Sequence, residues 1–322
     1  MASLTYVLPF KSGGGEDLAD LTAYLQSLAL VVDVIVVDGS VPEEFERHGE
    51  LWGDRVTHVA PRAGLAFANG KVDGVVTGVE LARTQKVVVA DEDVRYDVAG
   101  LQRMSELLDD YDLVRPQNYF DPLPWHALWD TGRILLNRAV AADYPGTLGV
   151  RRSVFVAAGG YDGDVMFENL EMIRTMEEAG GRSISPLDLY VRRIPPATGQ
   201  FIGQRPRQAY DDLAQPWRLV LFASLLPATV LALRRRPVLV PAGVAGVIGL
   251  AEVGRRRAGG TKVFPAAASA MAPLWVAERA VCVWIALSDR LRGGTPYRGD
   301  RLRVAAHSRR WIRRRLSGRS RP

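Results

Sequence analysis

Two uninterrupted apolar runs, each closed by an acid, constrain this chain most. Val34-Ile35-Val36-Val37 ends in Asp38-Gly39-Ser40, and Lys86-Val87-Val88-Val89-Ala90 ends in Asp91-Glu92-Asp93. Runs without polar alternation belong to strands buried on both faces, which is the situation of a parallel sheet covered by helices. Residues 4–8 form another β-type run before Pro9. Between that run and the strand at 31–37, Leu18, Leu21, Leu25 and Leu28 mark a helix over 16–28. Strand, helix and strand within so few residues make a βαβ unit.

The alternation continues with strands at 56–59, 86–90 and 113–116 and helices at 70–82 and 98–108. Up to Ala90 this pattern predicts a doubly wound α/β domain, whose ligands bind beyond the carboxyl ends of the strands. Past Asn118 the pattern becomes irregular. It runs through a Pro- and aromatic-rich loop at 119–125, an amphipathic helix at 125–141 and a short strand at 147–150. A helical turn at 153–158, a helix at 169–180 and strand-like character at 183–194 follow.

Composition changes near residue 217. Residues 1–217 carry 20 Lys and Arg against 32 Asp and Glu, whereas 218–322 carry 21 against 4, so the net +5 is the sum of about −12 and +17. The basic part contains apolar segments at 219–233, 238–253 and 263–287, punctuated by Arg234-Arg235-Arg236, Arg255-Arg256-Arg257 and an Arg-rich tail. This predicts three parts: a soluble catalytic domain (1–217), membrane-associated helices (218–288) and a basic cytoplasmic tail (289–322). The first two segments, of 15 and 16 residues, fall short of the roughly 20 needed to cross hydrocarbon. With every arginine cluster placed inside, an even number of crossings or a shallow hairpin follows. Arginines that flank apolar segments beside an acidic half speak for a membrane and against nucleic acid. The N-terminus lacks a basic stretch followed by an apolar one, so no signal peptide is expected and the acidic half is placed in the cytoplasm. The lone Cys282 excludes an intrachain disulfide framework.

Each candidate site residue has two readings. Asp91 and Asp93 either end a strand in a charged turn or, as i and i+2 carboxylates on one side of an extended segment, hold a hard divalent cation with substrate phosphates. Asp38 is a turn former or a contact to a base or ribose. Lys71, after the Gly64-to-Gly70 stretch, opens an ordinary helix or approaches a phosphate. Glu168 and Glu171 cap a helix or supply a general base. Gln204 and Arg207, in Gln204-Arg205-Pro206-Arg207-Gln208, sit in a headgroup-binding patch or fold over a diphosphate. His48, His58, His126 and His307 are scattered and form no metal set in sequence.

Together these motifs resemble the family 2 glycosyltransferases of GT-A fold, in the membrane-anchored branch similar to ceramide-glucosyltransferase-like enzymes. The resemblance covers about residues 4–217. It implies a Rossmann-like mixed sheet with flanking helices, followed by a C-terminal helical membrane region. It also implies that Asp38 contacts the nucleotide base, that Asp91 and Asp93 form the metal-binding DxD, and that Gly159-Gly160-Tyr161-Asp162 precedes the acceptor helix. The family's QxxRW is matched by Gln204 and Arg207, with Gln208 where tryptophan is expected. Where the family has Glu-Asp at the acceptor helix this chain has Glu168-Asn169, and an amide accepts no proton at neutral pH. Glu168, or else Glu171, is then the base.

The implied activity is inverting transfer from a nucleotide-diphosphate sugar, with Mn²⁺ or Mg²⁺, to a lipid or lipid-linked acceptor at the cell membrane. The competing readings are a polyprenyl-phosphate sugar synthase, a catalytically inactive GT-A scaffold at the membrane, and an arginine-tail nucleic-acid binder.

Overall fold

A computed structural model describes residues 4–141, 143–297 and 299–319. In chain order the elements begin with β1 (Leu4–Phe10), α1 (Ala19–Leu28), β2 (Asp33–Asp38), α2 (Pro42–Trp52), β3 (Thr57–Val59), α3 (Gly70–Leu81) and β4 (Lys86–Ala90). Next come β5 (Val94–Arg95), α4 (Val98–Asp110), β6 (Leu113–Val114), β7 (Gln117–Phe120), α5 (Trp125–Val140), β8 (Thr147–Arg151), α6 (Arg152–Ala157) and α7 (Glu168–Glu178). The remainder is β9 (Ser183–Ile184), β10 (Tyr190–Arg193), α8 (Thr198–Tyr210), α9 (Pro216–Arg235), α10 (Leu239–Arg256), α11 (Ala266–Leu291), β11 (Thr295–Tyr297), β12 (Asp300–Leu302) and α12 (Arg309–Arg319).

These elements form two compact units. The first comprises the described residues of Met1–Pro116, Tyr144–Val191 and His307–Pro322, and the second comprises those of Gln117–Asp143 and Arg192–Ala306. The composition break near residue 217 and the boundaries of the compact units therefore fall in different places.

Among the described residues of the first unit is a seven-stranded mixed sheet in the order β3-β2-β1-β4-β8-β6-β9. β1, β2, β3 and β4 are parallel neighbours, as the run up to Ala90 predicts. β8 then pairs antiparallel with both β4 and β6. The register sets Phe10 beside Asp38, Val7 beside Val89 and Ala90 beside Thr147. The ends of β2 and β4 and the start of β8 thus lie along one sheet edge.

Strand periodicity divides the core in two. Tyr6, Leu8, Val34, Val36, Val88 and Ala90 pack with Leu21, Leu25 and Leu28 of α1 and Leu101, Met104 and Leu108 of α4. Val7, Ile35, Val37, Val87 and Val89 face the other way, onto Val72, Val75, Val76 and Val79 of α3 and Met172, Ile173 and Met176 of α7. Both faces of the strands are covered, which is why they read as continuous apolar runs.

Three local differences from the sequence-based expectation have physical reasons. α2 lies where the sequence reading assigns no element: only His48 and Trp52 of its 11 residues are buried, although Pro42 at its start and Glu43 and Glu44 in its first turn are helix-opening signals. Residues 183–194, read as strand-like throughout, form two short strands with residues 185–189 between them. The loop expected at 119–125 begins as strand β7, which ends at Phe120.

In the second unit α5 packs closely on α10 and α11 through small residues. A Cβ on Gly132 would lie 2.7 Å from the Cα of Ala272, and one on Gly254 would lie 1.9 Å from the carbonyl oxygen of Leu135. Arg138 is fully buried and donates to the carbonyls of Gly254 (3.3 Å) and Arg257 (2.9 Å) at the end of α10, and to Gln117 Oε1 (3.1 Å). The Gly254 carbonyl lies in the last turn of the helix, where backbone acceptors lack partners inside it, so the guanidinium serves as its cap. The helices extend beyond the apolar runs: α9 has 20 residues and α11 has 26, and both are long and apolar enough to cross a membrane by length and composition.

α3 presses a glycine face on β1. A Cβ on Gly78 would lie 2.3 Å from Val7 Cγ1 and 3.2 Å from Val37 Cγ2. Gly78→Ala should therefore lose stability by about 1–3 kcal/mol through overpacking. An exposed helical glycine would instead gain roughly 1 kcal/mol on the same change. Urea denaturation of wild type and variant gives the sign, and a stabilised variant would mean that α3 stands away from β1.

Candidate active site

Lys71 lies in the first turn of α3. Asn69 caps that helix, its side chain accepting from Lys71 N at 3.3 Å. The preceding loop is fixed to the residues just after the Gly-Gly-Tyr-Asp segment: Asn69 N donates to the carbonyl of Gly163 (3.0 Å) and Ala68 N to Asp164 Oδ1 (2.9 Å). Gly163 is required there, since a Cβ would come within 2.5 Å of Phe67 and 2.8 Å of Val72. Gly160 takes a left-handed backbone (φ +66°) and sends the chain on into Tyr161.

This packing brings together residues far apart in sequence. Lys71 Nζ lies 2.5 Å from Asp91 Oδ1 and 2.5 Å from Glu168 Oε1. The Tyr161 hydroxyl donates to the other Glu168 oxygen at 3.4 Å. The cluster is graded in depth: the side chains of Asp91 and Lys71 are 26% and 23% exposed, and that of Glu168 is 8% exposed. Burial and the nearby Asp91 raise the Glu168 carboxyl above its ordinary value, with Lys71 acting in the opposite direction. Burial also opposes the charge of Lys71, but Asp91 and Glu168 outweigh it and hold the ammonium well above its usual range.

Asp91 and Asp93 do not sit on an extended segment. Asp91 N donates to Gly146 O (2.8 Å), Val94 N donates to Asp91 O (3.1 Å), and Glu92 and Asp93 are the middle residues of that tight turn. The acids crowd one another: partial desolvation, then Asp93 and Asp91, push the Glu92 carboxyl up. Among the described residues no group of three or more His, Cys, Asp or Glu is arranged to hold a metal ion. The oxygen donors of Asp91 and Asp93 suit a hard divalent ion whose remaining ligands come from substrate phosphates and water.

Asp38 ends β2, as expected, but its carboxylate is buried and engaged. Oδ2 is 2.7 Å from His48 Nδ1 and 3.1 Å from His58 Nε2, and Oδ1 accepts from Ser40 N at 2.9 Å. His48, on α2, and His58, beside Val36 in the β3 register, were scattered in sequence and converge here. Trp52 stacks on His48 and Phe45 on His58.

Glu171, the other candidate base, is fully buried and committed elsewhere. It accepts from His307 N (2.7 Å) and lies 3.1 Å from His307 Nδ1, which fastens the C-terminal segment to α7. Asn169 donates to Pro145 O at 3.3 Å. Gln204 and Arg207 belong to α8 in the second unit, half-buried, with Arg207 5.4 Å from the Tyr297 ring. The buried arginine of that stretch is Arg205, which pairs with Asp130 at 2.9 Å and lies 3.7 Å from Glu278. The sequence reading groups Arg205 with Arg207 as a headgroup or diphosphate contact and sets the two histidines aside; their partners come from other elements and leave no local spacing signal.

Among solved structures, the chain is similar to the mannosyltransferase PcManGT from Pyrobaculum calidifontis in complex with GDP-Man and Mn²⁺, at 18% identity and TM-score 0.46 over 87% of this chain and 86% of that one. It is also similar to S. aureus TarS 1–349, at 12% identity and TM-score 0.46 over 92% and 95%, and to the same protein with UDP, at 12% and 0.45. No family model and no curated protein matches the chain. The functional reading therefore rests on the residues of the site.

The Asp38 carboxyl is lowered: burial would raise it, but hydrogen bonds from His58, Ser40 and His48 outweigh that. A depressed folded value contributes stability that is complete above the unfolded pKa of about 3.9 and is lost as pH falls below it. Asp38→Asn should flatten this acid limb between about pH 4 and pH 2 while lowering stability at neutral pH. Denaturation midpoints of both proteins across that range test this, and parallel curves would show that the carboxylate is not what the histidines hold.

Proposed function

We propose that the chain transfers a sugar, with inversion, from a nucleotide-diphosphate sugar to a hydroxyl of a lipid or lipid-linked acceptor at the cell membrane. The observation that carries this reading is the Lys71 ammonium, 2.5 Å from both Asp91 and Glu168. It sets a strand-end acid suited to the diphosphate side and a buried acid suited to proton transfer on one cation.

Asp91 and Asp93 are the residues that would hold Mn²⁺ or Mg²⁺. The ion, when bound, neutralises charge on the departing diphosphate. Glu168 takes the proton of the acceptor hydroxyl as that oxygen attacks the anomeric carbon. The bond from the anomeric carbon to the diphosphate oxygen breaks, and the nucleoside diphosphate leaves with the electron pair. Tyr161 holds the second Glu168 oxygen and so fixes the carboxylate's direction. Asp38 is assigned to shaping the base site through His48 and His58. α9 and α11 support the membrane assignment, with the catalytic unit on the cytoplasmic side.

A thermal-shift screen of nucleotide sugars with and without Mn²⁺ names the donor. With that donor, Glu168→Gln should lower transfer to a hydroxyl acceptor by about 10²–10⁴-fold while donor binding persists. Undiminished transfer to polyprenyl phosphate by the same variant would instead assign a phosphate acceptor, which needs no base. Absence of both transfer and donor hydrolysis in the wild type would leave a scaffold.

The raised Glu168 carboxyl gives a pH signature. Its basic form is lost on acidification at a pH above the ordinary Glu value of about 4.3, so kcat/KM should fall on the acid side with a midpoint above that value. A midpoint at or below 4.3 would remove Glu168 from the role of base.

A further inference from the structure

Lys71 occupies an unusual place for a residue that merely touches a donor phosphate. Its ammonium offers three donors and accepts nothing, and two of its contacts go to carboxylates on different elements, Asp91 after β4 and Glu168 at the start of α7. Two carboxylates brought together without a cation would repel, and one would take up a proton. The Lys71 backbone cannot retreat: it follows the Asn69 cap, the contact of Asn69 with Gly163, and the glycine face that seats α3 on β1. The cation is therefore built into the cluster by the fold.

We propose that Lys71 is the resident counter-cation of this acidic cluster, holding Asp91 and Glu168 together in the unliganded protein and competing directly with a divalent cation for Asp91. This rests on the reading of the cluster as the donor and acceptor site. Loading then requires the ammonium to leave Asp91, and the incoming diphosphate is the anion that receives it. The same movement releases Glu168 from its cationic partner, so that the carboxylate becomes free to accept a proton only once a donor is bound. Lys71 is in this sense a positioning residue that couples donor loading to the availability of the base.

The competition has a direction opposite to that of an ordinary binding residue. In full-length protein in detergent, without nucleotide, Mn²⁺ binding is measured by loss of the free-ion EPR signal. Lys71→Gln removes one positive charge and should bind Mn²⁺ about five- to tenfold more tightly than wild type, as expected for the loss of a partly exposed ion pair competing for the same carboxylate. Lys71→Arg should stay near wild type, and adding Asp91→Asn to the glutamine variant should abolish the gain. Affinity for the nucleotide-sugar donor should fall in Lys71→Gln.

Circular dichroism and thermal midpoints confirm that the variants are folded. Unchanged or weaker Mn²⁺ binding by folded Lys71→Gln overturns the proposal, as does a gain that survives loss of Asp91 or an absence of Mn²⁺ binding in every variant. Tighter binding in Lys71→Gln by a protein that engages no nucleotide sugar would uphold the competition and defeat the transferase reading, so the two failures are distinguishable.

Discussion

The close approach of α3 to β1 is the constraint on which the first unit depends. Gly74 and Gly78 present no side chains to Pro9 and Val7, so the helix lies against the strand at backbone distance. Helix position then fixes where its first turn ends up, beside the edge at which β2 and β4 finish and β8 begins. Lys71 inherits that position. The same closeness is repeated at Gly163, where the loop before α7 meets Phe67 and Val72. Two glycine contacts thus convert a general α/β layer into a site with a defined geometry, because interiors packed to this density do not accommodate drift.

Much of this was legible in the residues, and the boundary of legibility follows the range of the interactions. β1, β2, β4 and α3 are visible because burial on both faces or on one helical face imposes a period on neighbouring residues. The antiparallel direction of β8 is not, because Thr147 to Val150 reads alike in either direction and only its pairing with β4 decides. Asp38 and Asp91 are visible as strand-end acids. Their partners are not: His48 reaches Asp38 from a helix that buries only one other residue, Trp52, His58 through strand register, and Glu168 reaches Lys71 across 97 positions. The apolar runs at 219–233 and 238–253 underestimate their helices because arginines and interfacial residues extend α9 to Arg235 and α10 to Arg256. Long basic side chains keep a helix going while their heads reach water.

The second unit uses arginine differently from what its net charge suggests. Arg138 caps α10, Arg205 pairs with Asp130, and Arg279 and Arg218 share Asp212. These guanidinium groups fasten helices to one another, while Arg234, Arg235 and Arg236 remain exposed at the end of α9. Planar, permanently charged and weakly hydrated, Arg suits both tasks, and a lysine would serve only the second well.

The bond between Glu171 and His307 bears on how the molecule reaches its final form. α7 also carries two acids, Glu177 and Glu178, that receive Arg309, and Glu178 receives Arg313. The helix that starts at Glu168 is therefore completed by residues translated some 130 positions later, after every apolar helix of the second unit. The first unit therefore draws on residues well beyond the composition break, with His307, Arg309 and Arg313 fastened to one of its helices.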